Sequence, residues 1–190
     1  MNARSRAAAA VTLTLAVTGC AADGHPTPVK PGGPVPNSAA VVAPAPPPTQ
    51  PGFAYTDPGE VCSLFTAALY SGDTRRDVGP GDAYERAARF ASSTLAGQSP
   101  AANQDGRWAT WVKHRASVDA VVEPFVDALQ PADTAITARR TVRVTSTPLG
   151  EDSWRGWTEH SLLDCTLRRG GSDGPGWRVA EYEIHQAGLR

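Results

Sequence analysis

Ile136-Thr137-Ala138-Arg139-Arg140-Thr141-Val142-Arg143-Val144-Thr145 is the stretch on which the fold turns. Ile136, Ala138, Val142 and Val144 fall on one side of an extended chain. Thr137, Arg139, Thr141, Arg143 and Thr145 fall on the other. A period of two predicts a strand with one buried face and one face in water. Ser117 to Val122 repeats the pattern, with Val118, Ala120 and Val122 together. Pro124 then suggests an edge or a bulge, because proline cannot donate to the ladder. Leu163, Cys165 and Leu167 share a face in a third strand, and Trp177 to Ile184 makes a fourth with mixed alternation. Turn signals at Pro131-Ala132-Asp133, Pro148-Leu149-Gly150 and Gly170 to Gly176 separate these runs.

Upstream the period becomes helical. Asp57-Pro58 reads as an N-cap acid followed by proline at the first helical position. Val61, Leu64, Phe65, Ala68 and Leu69 follow at helical spacing, and Gly72 lies just past the end. A second helix is predicted from Asp82 to about Leu95, with Tyr84, Ala87, Ala88, Ala91 and Leu95 inward. A short turn or helix from Gln104 to Val112 carries Trp108 and Trp111. Helices first and then an antiparallel meander is an α+β pattern: N-terminal helices packed on a curved four-stranded antiparallel sheet.

Composition sets the wider bounds. The chain has 190 residues and a formal net charge of −1. Near-neutral charge argues against a nucleic-acid binder, which usually carries a basic excess. Arginine outnumbers lysine 16 to 2, which reads as GC-rich coding. Most of the 17 prolines lie between Gly24 and Gly52, including Pro44-Ala45-Pro46-Pro47-Pro48. Such a segment favours polyproline II and acts as a semi-rigid spacer. A proline-rich ligand for a partner domain is the other reading of the run. The globular part is then roughly 135 residues, an ordinary single-domain size.

The N-terminus reads as a targeting signal. Arg4 and Arg6 form a positive start, and Ala7 to Val17 an apolar stretch of 11 residues. That is too short to span a bilayer core, which needs roughly 20 residues, but it fits the apolar region of a signal peptide. The stretch ends in Val17-Thr18-Gly19-Cys20, which resembles the bacterial lipobox. The resemblance implies cleavage before Cys20 and attachment of diacylglycerol to its thiol. An ordinary signal peptide with a chance cysteine is the alternative. The expected organisation is a lipoprotein signal peptide over 1–19, a proline-rich disordered tether over 20–54 and a globular domain over 55–190. The expected location is the extracytoplasmic face of the cell membrane.

The order of elements, with the closing Gly176-Trp177-Arg178-Val179 strand and Trp111, Trp157 and Trp177, resembles the NTF2-like fold. More narrowly it is similar to small actinobacterial envelope proteins and to the periplasmic domains of VirB8/TcpC-type conjugation proteins. The chain departs from the conjugation proteins in carrying a lipid anchor where they have a transmembrane helix. In an NTF2-like fold the first helix packs on the concave sheet. Cys62 on that helix and Cys165 on the third strand would then meet, and an oxidising compartment favours a disulfide. Two buried free thiols are the other possibility. Closing a loop of about 100 residues constrains the unfolded chain by up to about 4.7 kcal/mol in the entropy model.

Motifs for catalysis are sparse. His114, His160 and His185 have no metal-ligand partner at short spacing, and the common nucleotide, hydrolase and metalloprotease motifs are missing. Glu159 and His160 point to opposite faces of a strand. The resemblance to NTF2-like enzymes, which use carboxylates and tyrosine in a cone-shaped pocket, makes Asp119, Glu123, Tyr84 and Tyr182 conceivable. Arg139, Arg140 and Arg143 with Thr137 and Thr141 form a strip for an anionic partner, or a solvated sheet face. Trp154 and Trp157 form a stacking platform for a glycan, or simply pack in a hairpin. The resulting expectation is a non-enzymatic, protein-binding lipoprotein of the cell envelope. Its partners are the membrane, through Cys20, and an envelope protein; no nucleic acid, metal or cofactor is expected. Ligand binding in the cone pocket is the alternative, and an isomerase or hydrolase the remoter one.

Overall fold

Asp57 begins the first helix as the sequence predicts: its side chain accepts a hydrogen bond from the Gly59 amide at 2.7 Å and caps α1, Pro58–Tyr70. The computed structural model describes residues 45–98, 106–126 and 130–189, with side chains up to His185. Val61, Cys62, Phe65 and Thr66 form the buried face of α1. The Thr66 hydroxyl is satisfied inside the helix, donating to the Cys62 carbonyl at 2.8 Å.

Five strands form one antiparallel meander in chain order: β1 Gly72–Asp73, β2 Ser117–Phe125, β3 Thr137–Leu149, β4 Glu159–Arg169 and β5 Trp177–Leu189. The sheet curls around α1, so the architecture is α+β as expected, but with five strands rather than four. The extra strand, β1, is two residues long and exists only because Gly72 and Asp73 pair with Val118 and Ser117. A two-residue strand has no periodicity to read. Beyond that short pairing the outer margin of β2 is an edge, and Pro124 sits there.

The strand alternation holds inside the elements. Ala138, Val142 and Val144 of β3 and Leu163, Cys165 and Leu167 of β4 turn inward and are almost wholly buried. Ile136 does not join them; it lies before the first residue of β3 and is 62% exposed. Phe65, Val61, Val179 and these residues make the core on the concave side. A disulfide between Cys62 and Cys165, with Cα atoms 6.0 Å apart, ties α1 to β4 across 103 residues of chain.

The predicted second helix is broken into three pieces. α2 spans Gly81–Ala87, a 3-10 turn spans Ala88–Phe90, and α3 spans Ser93–Ala96. Two local interactions compete with a continuous helix. The Ser92 side chain accepts from the Leu95 amide and starts a new helix. The Ser92 amide itself donates to the Val179 carbonyl at 2.8 Å, which draws this corner onto β5. Capping serines favour such a start over helix interior. α4, Arg107–Lys113, carries Trp108 and Trp111 as expected.

The chain ahead of α1 lies on the domain from Pro47, which is buried. The Tyr55 hydroxyl accepts from the Gln50 amide at 2.7 Å and donates to the Arg89 carbonyl at 2.8 Å. The Arg178 guanidinium rests 3.7 Å from the Tyr55 ring centre and donates to the carbonyls of Arg89 and Pro48. A Cβ on Gly176 would fall 2.6 Å from the Tyr55 Cβ, so only glycine permits this approach. Cys20, the expected signal peptide and the expected tether up to residue 44 lie outside the described residues.

Candidate functional site

Along the concave face the side chains change character between the two ends of the sheet. At one end they are Ala138, Val142, Leu163, Cys165 and Leu167. The next inward place beyond Val144 on β3, and the one before Leu163 on β4, are taken by Ser146 and Ser161. Both serines are buried, at 6% and 5% exposure. They floor a cavity of about 320 Å³ between the end of α1, the start of α2, α4 and the concave sheet. Tyr70, Tyr182, Trp108 and Trp111 provide its aromatic walls.

The polar groups of this cone divide into satisfied and unsatisfied sets. Glu159 pairs with Arg107, whose guanidinium also lies 5.6 Å from the Trp111 ring centre. Asp77 pairs with Arg86 at 2.7 Å and accepts from the Asp73 amide. The Tyr84 hydroxyl is spent on the Leu95 carbonyl at 2.6 Å. Ser161 stands beside the Tyr70 hydroxyl. The hydroxyls of Ser146 and Tyr182 have no hydrogen-bond partner among the described residues, and both residues line the cavity. Neither is sealed away, since Arg178 Nε alone is a buried side-chain polar atom without a partner among the described residues; both hydroxyls are therefore open to an occupant of the cavity, water or ligand.

Burial raises the pKa of Tyr70, Tyr84 and Tyr182 above that of a free tyrosine. A tyrosine hydroxyl is uncharged at neutral pH in any case, and burial moves these three further from ionising. At the rim, a hydrogen bond from Arg75 holds the Asp73 carboxyl down at about 2. Arg75 and Arg115 both bind Glu151, which joins the β1 loop, the end of α4 and the β3–β4 hairpin.

The sequence-predicted residues scatter over the domain. Asp119 and Glu123 alternate with the inward Val118, Ala120 and Val122, so they leave on the convex face, away from the cone. That alternation, which puts odd positions of β2 in water, removes both from the conceivable pocket residues. Of that set Tyr182 faces the open cavity with its hydroxyl free, and Tyr84 lines it with its hydroxyl committed. Arg139 and Arg143 are exposed on the convex face, where Arg143 stands opposite Glu123 and over the Phe125 ring. Arg140 is on the other side of β3 and is bound by Asp133 at 2.5 Å. A wider hollow of about 430 Å³ under Gln130 and Pro131 includes Arg139, but Asp164, Glu181 and Glu183 line it too. Asp164 there is engaged by Thr141 and His185.

Trp154 stacks on His114 with ring centres 4.5 Å apart and planes 6° apart, while Trp157 is 76% exposed. The two tryptophans thus form no shared platform. Glu159 and His160 do point apart, Glu159 into the cone and His160 towards Thr145. Among the described residues no cluster of His, Cys, Asp or Glu is arranged to hold a metal ion. No helix among them is long and apolar enough to cross a membrane.

Ser146 and Ser161 were not distinguished by any motif. Their signal lay in the strand register, where a serine continues an apolar series inward, at the positions after Val144 and before Leu163.

No family model matches the chain, and no curated protein matches its sequence. Its fold is similar to that of an IcmL-like type IV secretion system protein from Legionella pneumophila. The TM-score is 0.51 at 13% identity, over 68% of this chain and 91% of that one. At that identity the likeness is one of fold.

Proposed function

We propose that this chain is a lipid-anchored protein of the bacterial cell envelope, held at the extracytoplasmic face through Cys20. Its NTF2-like domain acts as a non-enzymatic protein-binding or assembly module. The observation that carries the reading is the fold likeness to the IcmL-like secretion protein. The lipobox-like Val17-Thr18-Gly19-Cys20 and the proline-rich spacer support it from the sequence. So does the cone chemistry: Glu159 and Asp77, the carboxylates that line it, are both paired to arginines, which leaves them poor general bases. Trp157, the most exposed tryptophan described, is the contact offered to the partner.

Two measurements test the reading. Intact-mass analysis of the parent and Cys20→Ala should show an acyl mass only in the parent, with the variant released from membranes. An unchanged membrane fraction defeats the anchor. Photo-cross-linking from position 157 in intact cells should capture one envelope protein reproducibly, and capture of none defeats the assembly role.

A second reading, ligand binding in the cone, is favoured by one observation: Ser146 is buried, lines the cavity and has no side-chain hydrogen bond among the described residues.

A further inference from the structure

We infer that the cone mouth binds a neutral carbohydrate of one or two sugar rings. The inference rests on the cone-pocket reading and is independent of the envelope-partner reading.

The cavity, at about 320 Å³, is near the lower end of the range of small-molecule sites, roughly 300–1,000 Å³. It suits a compact ligand and excludes a long acyl chain. Charge is decided by the rim and walls. Glu159 and Asp77 are each neutralised by an arginine, and the tyrosines are uncharged at neutral pH. A charged ligand would meet no uncompensated counter-charge among these groups, and it would lose hydration on entry. The occupant is therefore neutral.

Its polarity is decided by the floor. Ser146 and Ser161 are more than nine-tenths buried and open into the cavity, and Tyr182 adds a third hydroxyl. A wholly apolar ligand would bury Ser146 and Tyr182 with nothing to bond, so it would bind weakly. The walls are decided by aromatic faces. Trp108 and Trp111 stand with ring centres 6.1 Å apart, and Tyr70 and Tyr182 line the same cavity. A sugar ring meets all three demands. It is neutral, it presents hydroxyls around its edge that both donate and accept, and its C–H face packs on aromatic carbon.

The test uses the whole chain, isotope-labelled and observed by NMR through its indole N–H signals. It is titrated with neutral disaccharides (maltose, cellobiose and N,N′-diacetylchitobiose) and separately with indole, an aromatic probe lacking hydroxyls. At least one disaccharide should shift Trp108 and Trp111 saturably. Ser146→Ala and Tyr182→Phe should each weaken that binding about tenfold, the loss of one good hydrogen bond. Both variants remove only a hydroxyl, and unchanged melting confirms that they fold. Binding of indole alone overturns the sugar assignment and leaves the pocket standing, whereas sugar binding that neither variant weakens overturns the placement of the sugar on Ser146 and Tyr182. Binding of neither probe overturns the pocket reading as well.

Discussion

The two ends of the concave sheet are built from the same strands and covered by the same helix, yet they do opposite things. At the closed end β3 and β4 supply Val142, Leu163, Cys165 and Leu167, each at most 2% exposed, and the Cys62–Cys165 disulfide locks α1 onto them. At the mouth the same inward positions hold Ser146 and Ser161, and α1 ends in the half-buried Tyr70. A change of side chain two residues along a strand, about 7 Å at 3.3–3.4 Å per residue, separates a packed core from a cavity. Stability is concentrated at one end, so the other is free to keep polar groups without protein partners.

That contrast can be broken by substitution. Leu163→Ala, at the closed end, should destabilise by roughly 2–5 kcal/mol, because a buried leucine leaves both lost contacts and a cavity. Chemical denaturation would measure it; a loss under 1 kcal/mol would mean that this end is not the tightly packed one. Opening the disulfide with Cys62→Ala and Cys165→Ala together should cost about 2–4 kcal/mol. The reduced parent should match the double variant in its unfolding midpoint. A midpoint unmoved by reductant would show that the bridge contributes little beyond packing.

Effects at the mouth should be smaller. Acidification weakens its rim through Asp73. The carboxyl sits at about 2 in the fold, held there by Arg75, against roughly 3.9 when unfolded. Its contribution is fully present above pH ~4 and is lost as the pH falls towards 2. The pair is close to solvent, so the contribution is modest and salt should reduce it. Asp73→Asn should flatten this part of the melting-temperature profile; an unchanged acid limb would remove Asp73 from the account. Smallest of all, Ser146→Ala should leave stability within about 0.5 kcal/mol of the parent or raise it slightly, since it removes a hydroxyl that bonds to nothing described. A loss above 1 kcal/mol would show that Ser146 has a structural partner.

Much of the fold was legible because periodicity is a local property. Asp57-Pro58 announced α1, and the alternation from Ala138 to Val144 announced β3 and its buried face. The break between Ala87 and Ser93 was not legible, because the helical spacing of Tyr84, Ala87, Ala88, Ala91 and Leu95 is satisfied by an unbroken helix as well. What breaks it is the distant Val179 carbonyl, which takes the Ser92 amide. Site reading shows the same division. Asp119 and Glu123 could have been set aside from the sequence, since Val118, Ala120 and Val122 already claimed the inner face. Ser146 and Ser161 could not be chosen, because serine at an inward strand position looks the same whether it closes a core or opens a cavity.

The sequence by itself determined the α+β class, the strand faces, the first helix and the expectation of a lipid-bearing Cys20. Each rests on neighbours within a few residues, where spacing and side-chain chemistry act directly. Only the tertiary structure decided that Cys62 and Cys165 meet, that a fifth strand joins at Gly72, and that Ser146, Ser161 and Tyr182 converge under Trp108 and Trp111. Those are distances between parts of the chain up to 103 residues apart. They are set by how the sheet curls around α1, which no local pattern records.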